Sequence, residues 1–231
     1  MNYLAIDLEM TGLNVKKDRI LEIGAIHMED GRPRETFSAL INPHCALSGR
    51  ITGLTGITQQ MADTGEELSD VLPLFLTFAG SLPLLGHNLL FDYSFLKQAC
   101  VNAGIPFERT GIDTLKLARR FLPATQEKKL TSLRELYRLS TGEAHRAVSD
   151  ALAAALVYER LCCDYVAAAP EVFLPVPLQV KIKKQQPITI PQREQLTRLL
   201  SESSDAPAEP IEIDRLTRSE ASRLIERLLH P

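Results

Sequence analysis

Four carboxylates in this chain occupy places that an apolar core would otherwise fill. Asp7 and Glu9 close the apolar run at residues 2–8. In a strand, residues i and i+2 share a face, so both carboxylates enter one space. Two negative charges there repel unless a proton or a cation compensates them; the bland alternative is that the strand has already ended and both face water. Asp92 has Phe95 and Leu96 at i+3 and i+4 of a helical pattern. A carboxylate on such an apolar face needs a partner, although a first-turn aspartate facing the helix dipole is the ordinary reading. Asp150 repeats the anomaly, with Ala147, Ala153, Ala154 and Val157 at i−3, i+3, i+4 and i+7. His145 precedes it by five residues, where it can swing over the same helix start.

Four carboxylates offer the oxygen donors that hard divalent ions prefer, Mg²⁺ or Mn²⁺. No HxxxH or CxxC pair directs the reading towards zinc. Two such ions about 3.5–4 Å apart clamp the attacking and leaving oxygens of a phosphodiester. A neighbouring histidine can take the proton from the attacking water.

The elements that must position these residues follow from periodicity. Residues 2–8, 19–28 and 34–41 read as three strands of an antiparallel meander, with a turn at Glu29-Asp30-Gly31. Residues 66–79 carry helical spacing that Pro73 weakens. A short strand at 82–85 ends at Gly86, a helix follows over 89–103 and closes at Gly104, and 110–113 reads as a last short strand. Helices are predicted at about 114–121, 130–140 and 146–165. Strands followed by strand–helix alternation predict an α/β domain, a mixed sheet flanked by helices, over residues 1–169. Prolines break residues 170–186 into a linker with room for one strand. Residues 187–231 then read as a small helical hairpin. Thr189-x-x-Gln192 and Thr217-x-x-Glu220 open its helices as capping boxes, and a flexible loop over 201–210 joins them. A module this small needs something to dock on.

Composition bounds the partners. The chain has 231 residues and a net charge of −3, with a pI near 6.0. That excludes a polybasic binder working by bulk charge, but not a nucleic acid held at a local site. Aromatic residues are 6% with no Trp, which argues against an extended base-stacking platform. No apolar run reaches the ~20 residues of a membrane span, and no secretory signal opens the sequence. Cys45, Cys100, Cys162 and Cys163 have no framework spacing, as expected for reduced thiols in a cytoplasmic protein.

Three ordered motifs resemble the DEDDh, or DnaQ-like, 3′–5′ exonucleases. They are DLEMTGL at residues 7–13, GHNLLFD at 86–92 with YSFL following, and HRAVSD at 145–150. Gly56-Ile57-Thr58-x-x-Met61 and Asp113-Thr114 also look familial, and the likeness covers roughly residues 1–165. It implies a ribonuclease H-like fold, with Asp7, Glu9, Asp92 and Asp150 as ligands of two divalent metal ions and His145 as general base. It implies release of nucleoside 5′-monophosphates from a 3′ end, single-stranded for preference. Met10, Thr11, Gly12 and Leu13 would cradle the terminal nucleotide, with Leu13 packing on its base. His87 and Asn88 match the flank of the second motif, and Asp113 reads as structural.

Two departures bear on substrate. Met10 stands where proofreading-type members usually carry Thr, so the first motif resembles oligoribonucleases, whereas GHNLLFDYSFL resembles the polymerase-proofreading branch. The hairpin is no part of the minimal exonuclease domain; its LTRSEASRLIERLL segment is similar to small helical modules of nucleic-acid proteins and suggests docking on a polymerase or another partner. DNA is the favoured substrate. RNA or oligoribonucleotide degradation, a non-catalytic docking scaffold, and a metal-dependent phosphatase or nucleotidase are the alternatives.

Overall fold

The computed structural model describes residues 1–141, 145–202 and 212–229. The chain divides into two compact units, Met1–Pro43 with Leu47–Ile182, and His44–Ala46 with Lys183–Pro231.

The first unit is built on a six-stranded sheet of order β3-β2-β1-β4-β5-β6. β1 (Tyr3–Met10), β2 (Ile20–Glu29) and β3 (Arg32–Leu40) form the antiparallel meander. Asp30 and Gly31 turn β2 into β3 with φ of 48° and 74°, the left-handed pair that a tight hairpin demands. β4 (Leu84–Gly86) and β5 (Thr110–Asp113) extend the sheet in parallel, and β6 (Val176–Pro177) closes it antiparallel to β5. β6 comes from the stretch read as a linker. Phe173 and Leu178 from that stretch are buried in the same unit, so its prolines interrupt elements without detaching the segment.

Helices cover both faces. α1 (Gly49–Thr55) and α2 (Gln59–Asp63) follow β3. They were not foreseen, being one or two turns long and carrying no apolar stripe of useful length. Their caps are legible in retrospect: Ser48 and Thr58 accept the N–H of Ile51 and Met61, and Gly56 at φ 71° ends α1. α3 (Leu68–Ala79) forms despite Pro73, because Val71, Leu72, Phe75 and Ala79 are buried along one side. α4 (Leu89–Ala103) packs on the same face of the sheet as α3. α5 (Thr114–Phe121), α6 (Leu130–Leu136) and α7 (Ala147–Tyr165) cover the other.

The alternation of β1 decides where the site lies. Leu4, Ile6 and Leu8 point to the α3–α4 core, and Tyr3 and Ala5 to the α7 core. Asp7 and Glu9 continue the second series, so they emerge on the α7 side. Buried Ala147, Ala151, Ala154 and Ala155 let α7 lie close on the strands, and Tyr3 Oη donates to Glu159 Oε1 at 2.8 Å to fasten β1 to it.

The second unit contains α8 (Ile190–Glu202) and α9 (Arg218–Leu229) around Ile188, Leu196, Ala221, Leu224 and Ile225. Both capping boxes form. Thr189 N–H donates to Gln192 Oε1 at 3.1 Å and Thr217 N–H to Glu220 Oε2 at 2.7 Å, with reciprocal bonds to the threonine hydroxyls. From residue 203 the expected flexible loop lies outside the described residues. Among the described residues, no helix is long and apolar enough to cross a membrane.

Candidate active site

The site gathers at the C-terminal end of β1, beyond the point where β4 stops. β4 pairs β1 only at Leu4 and Ala5. Further along, the Leu8 N–H has lost its strand partner, and Asp92 Oδ1 from the first turn of α4 accepts it at 3.1 Å. That bond holds the Asp92 carboxylate at the end of the sheet although the residue is only 5% exposed. Asn88 precedes α4 with φ 66°, a left-handed conformation that asparagine tolerates better than most residues.

Asp150 comes from the opposite face, in the first turn of α7. The His145 N–H donates to Asp150 Oδ2 at 3.0 Å, and Arg134 Nη1 of α6 donates to Oδ1 at 3.2 Å. His145 sits at φ 59°, uncommon for a non-glycine residue and sustained only where its surroundings hold it. One ligand atom each from Glu9, His145 and Asp150 lie within 4.8 Å of one another. A cation with bonds of about 2.0–2.6 Å spans that spread. The donor set thus includes an imidazole nitrogen as well as carboxylate oxygens. Asp7 and Asp92 are outside this tight trio and reach it through charge.

That charge is visible in the protonation equilibria. Burial pushes Asp7 well above the usual carboxylate range, and Asp92, Glu9, Asp150 and Glu22 add to the effect. Glu9 is raised to about 8, first by burial and then by Asp150, Glu22 and Asp92, with Arg146 opposing. Asp92 is raised to about 7 by burial, against the Leu8 N–H that favours its charged form. Burial also raises Asp150, opposed by the His145 N–H and by Arg134. Desolvated like charges hold protons unless a cation takes their place, so the oxygen-rich donor set fits a divalent metal.

The flanking residues divide. Thr11 Oγ1 accepts the Arg19 N–H at 2.9 Å, which closes the loop after β1. A Cβ at Gly12 would meet the Asp18 carboxylate at 2.5–2.8 Å, and Asp18 in turn accepts the Asn14 N–H at 2.7 Å. Met10 is half-buried, whereas Leu13 is 77% exposed at the loop tip. His87 Nε2–H donates to the Lys128 carbonyl at 2.8 Å, and its Nδ1 lies 3.0 Å from Thr114 Oγ1. Burial lowers its pKa. Both ring nitrogens of His87 are thus engaged by the protein. Asp113 Oδ1 accepts the N–H groups of Asn88 and Leu115, both at 3.0 Å.

Three residues that sequence reasoning passed over stand behind the site. Glu22, on β2 in register with Glu9, is 2% exposed. Arg146 holds it, and Arg134 holds Asp150. Glu22 had a signal, being the lone charge within an apolar run of β2; the two arginines had none.

Carboxylate oxygens gathered beside an imidazole at the end of a sheet are a donor set that could hold a divalent cation. Residues 4–158 match the Exonuclease family model, RNase_T, and the chain belongs to this family, whose enzymes are metal-dependent. It is 36% identical over 159 residues to DNA polymerase III PolC-type of Caldanaerobacter subterraneus subsp. tengcongensis, covering 69% of this chain and 11% of that protein. It is 34% identical over 160 residues to DNA polymerase III subunit epsilon of Aquifex aeolicus, covering 69% and 79%. The chain thus spans about a tenth of the PolC-type relatives it matches. Exonuclease X in complex with 5′ overhanging duplex DNA superposes with a TM-score of 0.60 at 25% identity, covering 74% of this chain and 96% of that one. The expected ribonuclease H-like fold is thereby established.

Proposed function

We propose that this protein removes nucleoside 5′-monophosphates one at a time from the 3′ end of a nucleic acid, DNA in preference to RNA. The observation that carries this reading is the convergence of Glu9, Asp150 and His145 donor atoms within 4.8 Å, beside Asp7 and Asp92. Asp7, Glu9, Asp92 and Asp150 would hold two divalent ions, Mg²⁺ or Mn²⁺, which when bound place positive charge on the attacking and leaving oxygens. His145 takes the proton of the attacking water, and its N–H bond to Asp150 fixes its distance from the acidic group. Met10, Thr11 and Gly12 line the approach of the terminal nucleotide, and the exposed Leu13 side chain packs on its base. Asn88, tied to Asp113, and His87, tied to Lys128, hold the facing loop in place.

The DNA preference rests on relatives named as DNA polymerase III chains and on a structural neighbour bound to DNA. A second reading, RNA or short oligoribonucleotides, is favoured by Met10 in DLEMTGL. The 2′-hydroxyl separates the two. The test is a gel time course on 3′-tailed single-stranded DNA and RNA of matched sequence, with Mg²⁺, Mn²⁺ or EDTA. A ladder shortening from the 3′ end, faster on DNA and absent with EDTA, is the expected result. Faster shortening of RNA would reverse the preference. Activity on mononucleotides alone would replace the reading with a nucleotidase.

The second unit, around α8 and α9, serves as a docking module for a polymerase. The polymerase III names of the relatives support this. A pull-down of the polymerase that survives removal of residues 187–231 would count against it. The cytoplasm is the proposed location, supported by four cysteines whose spacing offers no disulfide framework.

A further inference from the structure

The geometry points to a pair of β2 residues, Glu22 and Gly24, as the seat that fixes the catalytic setting of His145. They are positioning residues, and the inference rests on the reading of His145 as the base.

Three consecutive residues at the start of α7 are pinned. The His145 N–H is bonded to Asp150 Oδ2 at 3.0 Å. Arg146 grips Glu22 as a fork, Nη2 to Oε1 at 2.8 Å and Nε to Oε2 at 3.3 Å. The Ala147 N–H donates to Glu22 Oε2 at 3.0 Å. Glu22 therefore holds the residue after His145 by its side chain and the next by its backbone. A two-point grip on a planar guanidinium fixes orientation as well as distance. The Glu22 side chain is 3% exposed and the Arg146 side chain 41%, so the anchor is rigid while the gripping residue reaches it from the surface.

Gly24 completes the seat. It lies two residues along β2 on the same face, in register with Asp7. A Cβ there would meet the Ala147 carbonyl carbon and the Val148 nitrogen, both at 2.3 Å. Both atoms are backbone, so no side chain can move aside: any other residue must push the first turn of α7 off the sheet. Glu22 draws that turn down and Gly24 leaves the room for it. His145, directly before the turn and in a left-handed conformation, takes its place from this contact. A displacement of about 1 Å at a catalytic group lowers the rate about 10²-fold.

The test is a double-mutant cycle on the full chain. kcat and KM are measured on a 3′-tailed single strand for Glu22→Gln and Gly24→Ala, each alone and combined with His145→Ala. Glutamine keeps an acceptor for the Ala147 N–H and removes the charge on which Arg146 closes. Each single variant is expected to lower kcat about 10- to 10²-fold with KM within about 3-fold. In the His145→Ala background the same substitutions should cost several-fold less than in wild type, the remainder acting through Asp150 in the same turn, because residues acting as a unit are not additive. Effects that multiply in full in that background would overturn the inference, as would a wild-type kcat for both single variants. A wild-type kcat for His145→Ala alone would instead overturn the base assignment on which the inference rests. Should either β2 variant fail to fold, Arg146→Lys carries the same cycle, since it keeps the charge and loses the fork.

Discussion

β1 and β5 both end in carboxylates, and the two ends differ in what those carboxylates touch. At the end of β5, Asp113 caps α5 and accepts the Asn88 and Leu115 N–H groups at 3.0 Å each. Backbone donors match its charge, and it ties the α4 loop to the α5 start. At the end of β1, Asp7 and Glu9 face Asp92 and Asp150; burial raises all four above the ordinary carboxylate range, and repulsion from neighbouring carboxylates adds to it at Asp7 and Glu9. The lesson is that a carboxylate at a strand end signals function through the donors it lacks. Glu9 and Glu22, directly opposite each other on β1 and β2, show the same contrast, since Glu22 is gripped by Arg146 and the Ala147 N–H while Glu9 joins the open donor set.

The sharpest way to break this comparison is to remove members from each end. Asp7→Ala or Asp150→Ala should abolish turnover in the ladder assay by removing metal ligands, whereas Asp113→Ala should keep a clear ladder. His145→Ala should lower kcat by about 10²–10⁴ in steady-state kinetics, the usual span for a lost general base; full activity would show that another group takes the proton. Asp113→Ala should cost about 0.5–2 kcal/mol of stability in a denaturant titration, as lost N-caps do, and Asp113→Asn should recover most of it because an acceptor remains. Equal catalytic loss at Asp113 and Asp150 would erase the distinction drawn between the two ends.

A smaller effect tests the charge argument directly. Glu9, at about 8 in the folded chain, lies above its ordinary value of 4.5. The folded state therefore holds protons that the unfolded state has released between roughly pH 4.5 and 8, and metal-free stability falls as pH rises through that window. A divalent cation relieves the penalty. The rise in Tm on adding Mn²⁺ should accordingly be larger at pH 8 than at pH 6, by differential scanning fluorimetry. An equal or opposite ordering would mean that the carboxylates are not where the cation binds.

Much of this was legible in the sequence for one physical reason: long apolar periodicities announce themselves, and a carboxylate interrupting one is conspicuous. β1, α4 and α7 were legible this way, with the positions of Asp7, Glu9, Asp92 and Asp150 on them. The short α1 and α2 were not, since five to seven residues give too little pattern. Pro73 counted against α3, and the burial of Phe75 and its neighbours overrode it. Arg134, Arg146 and Gly24 were silent because their meaning lies in partners distant along the chain. Gly24 reads as one more small residue in a strand until α7 is laid across it. The involvement of His87 with Lys128 and Thr114 was equally hidden, since neither partner lies near it in sequence.

The central claim, that the open carboxylates at the end of β1 are a divalent-cation site, is tested most directly by calorimetric titration of Mn²⁺ at pH 7 in buffers of different ionisation enthalpy. Wild type and Asp113→Ala should bind with release of protons, because Glu9 and Asp92, at about 8 and about 7, hold them until the cation arrives. Asp150→Ala should lose most of that binding. Binding without proton release, or binding that Asp150→Ala leaves untouched, would contradict the account.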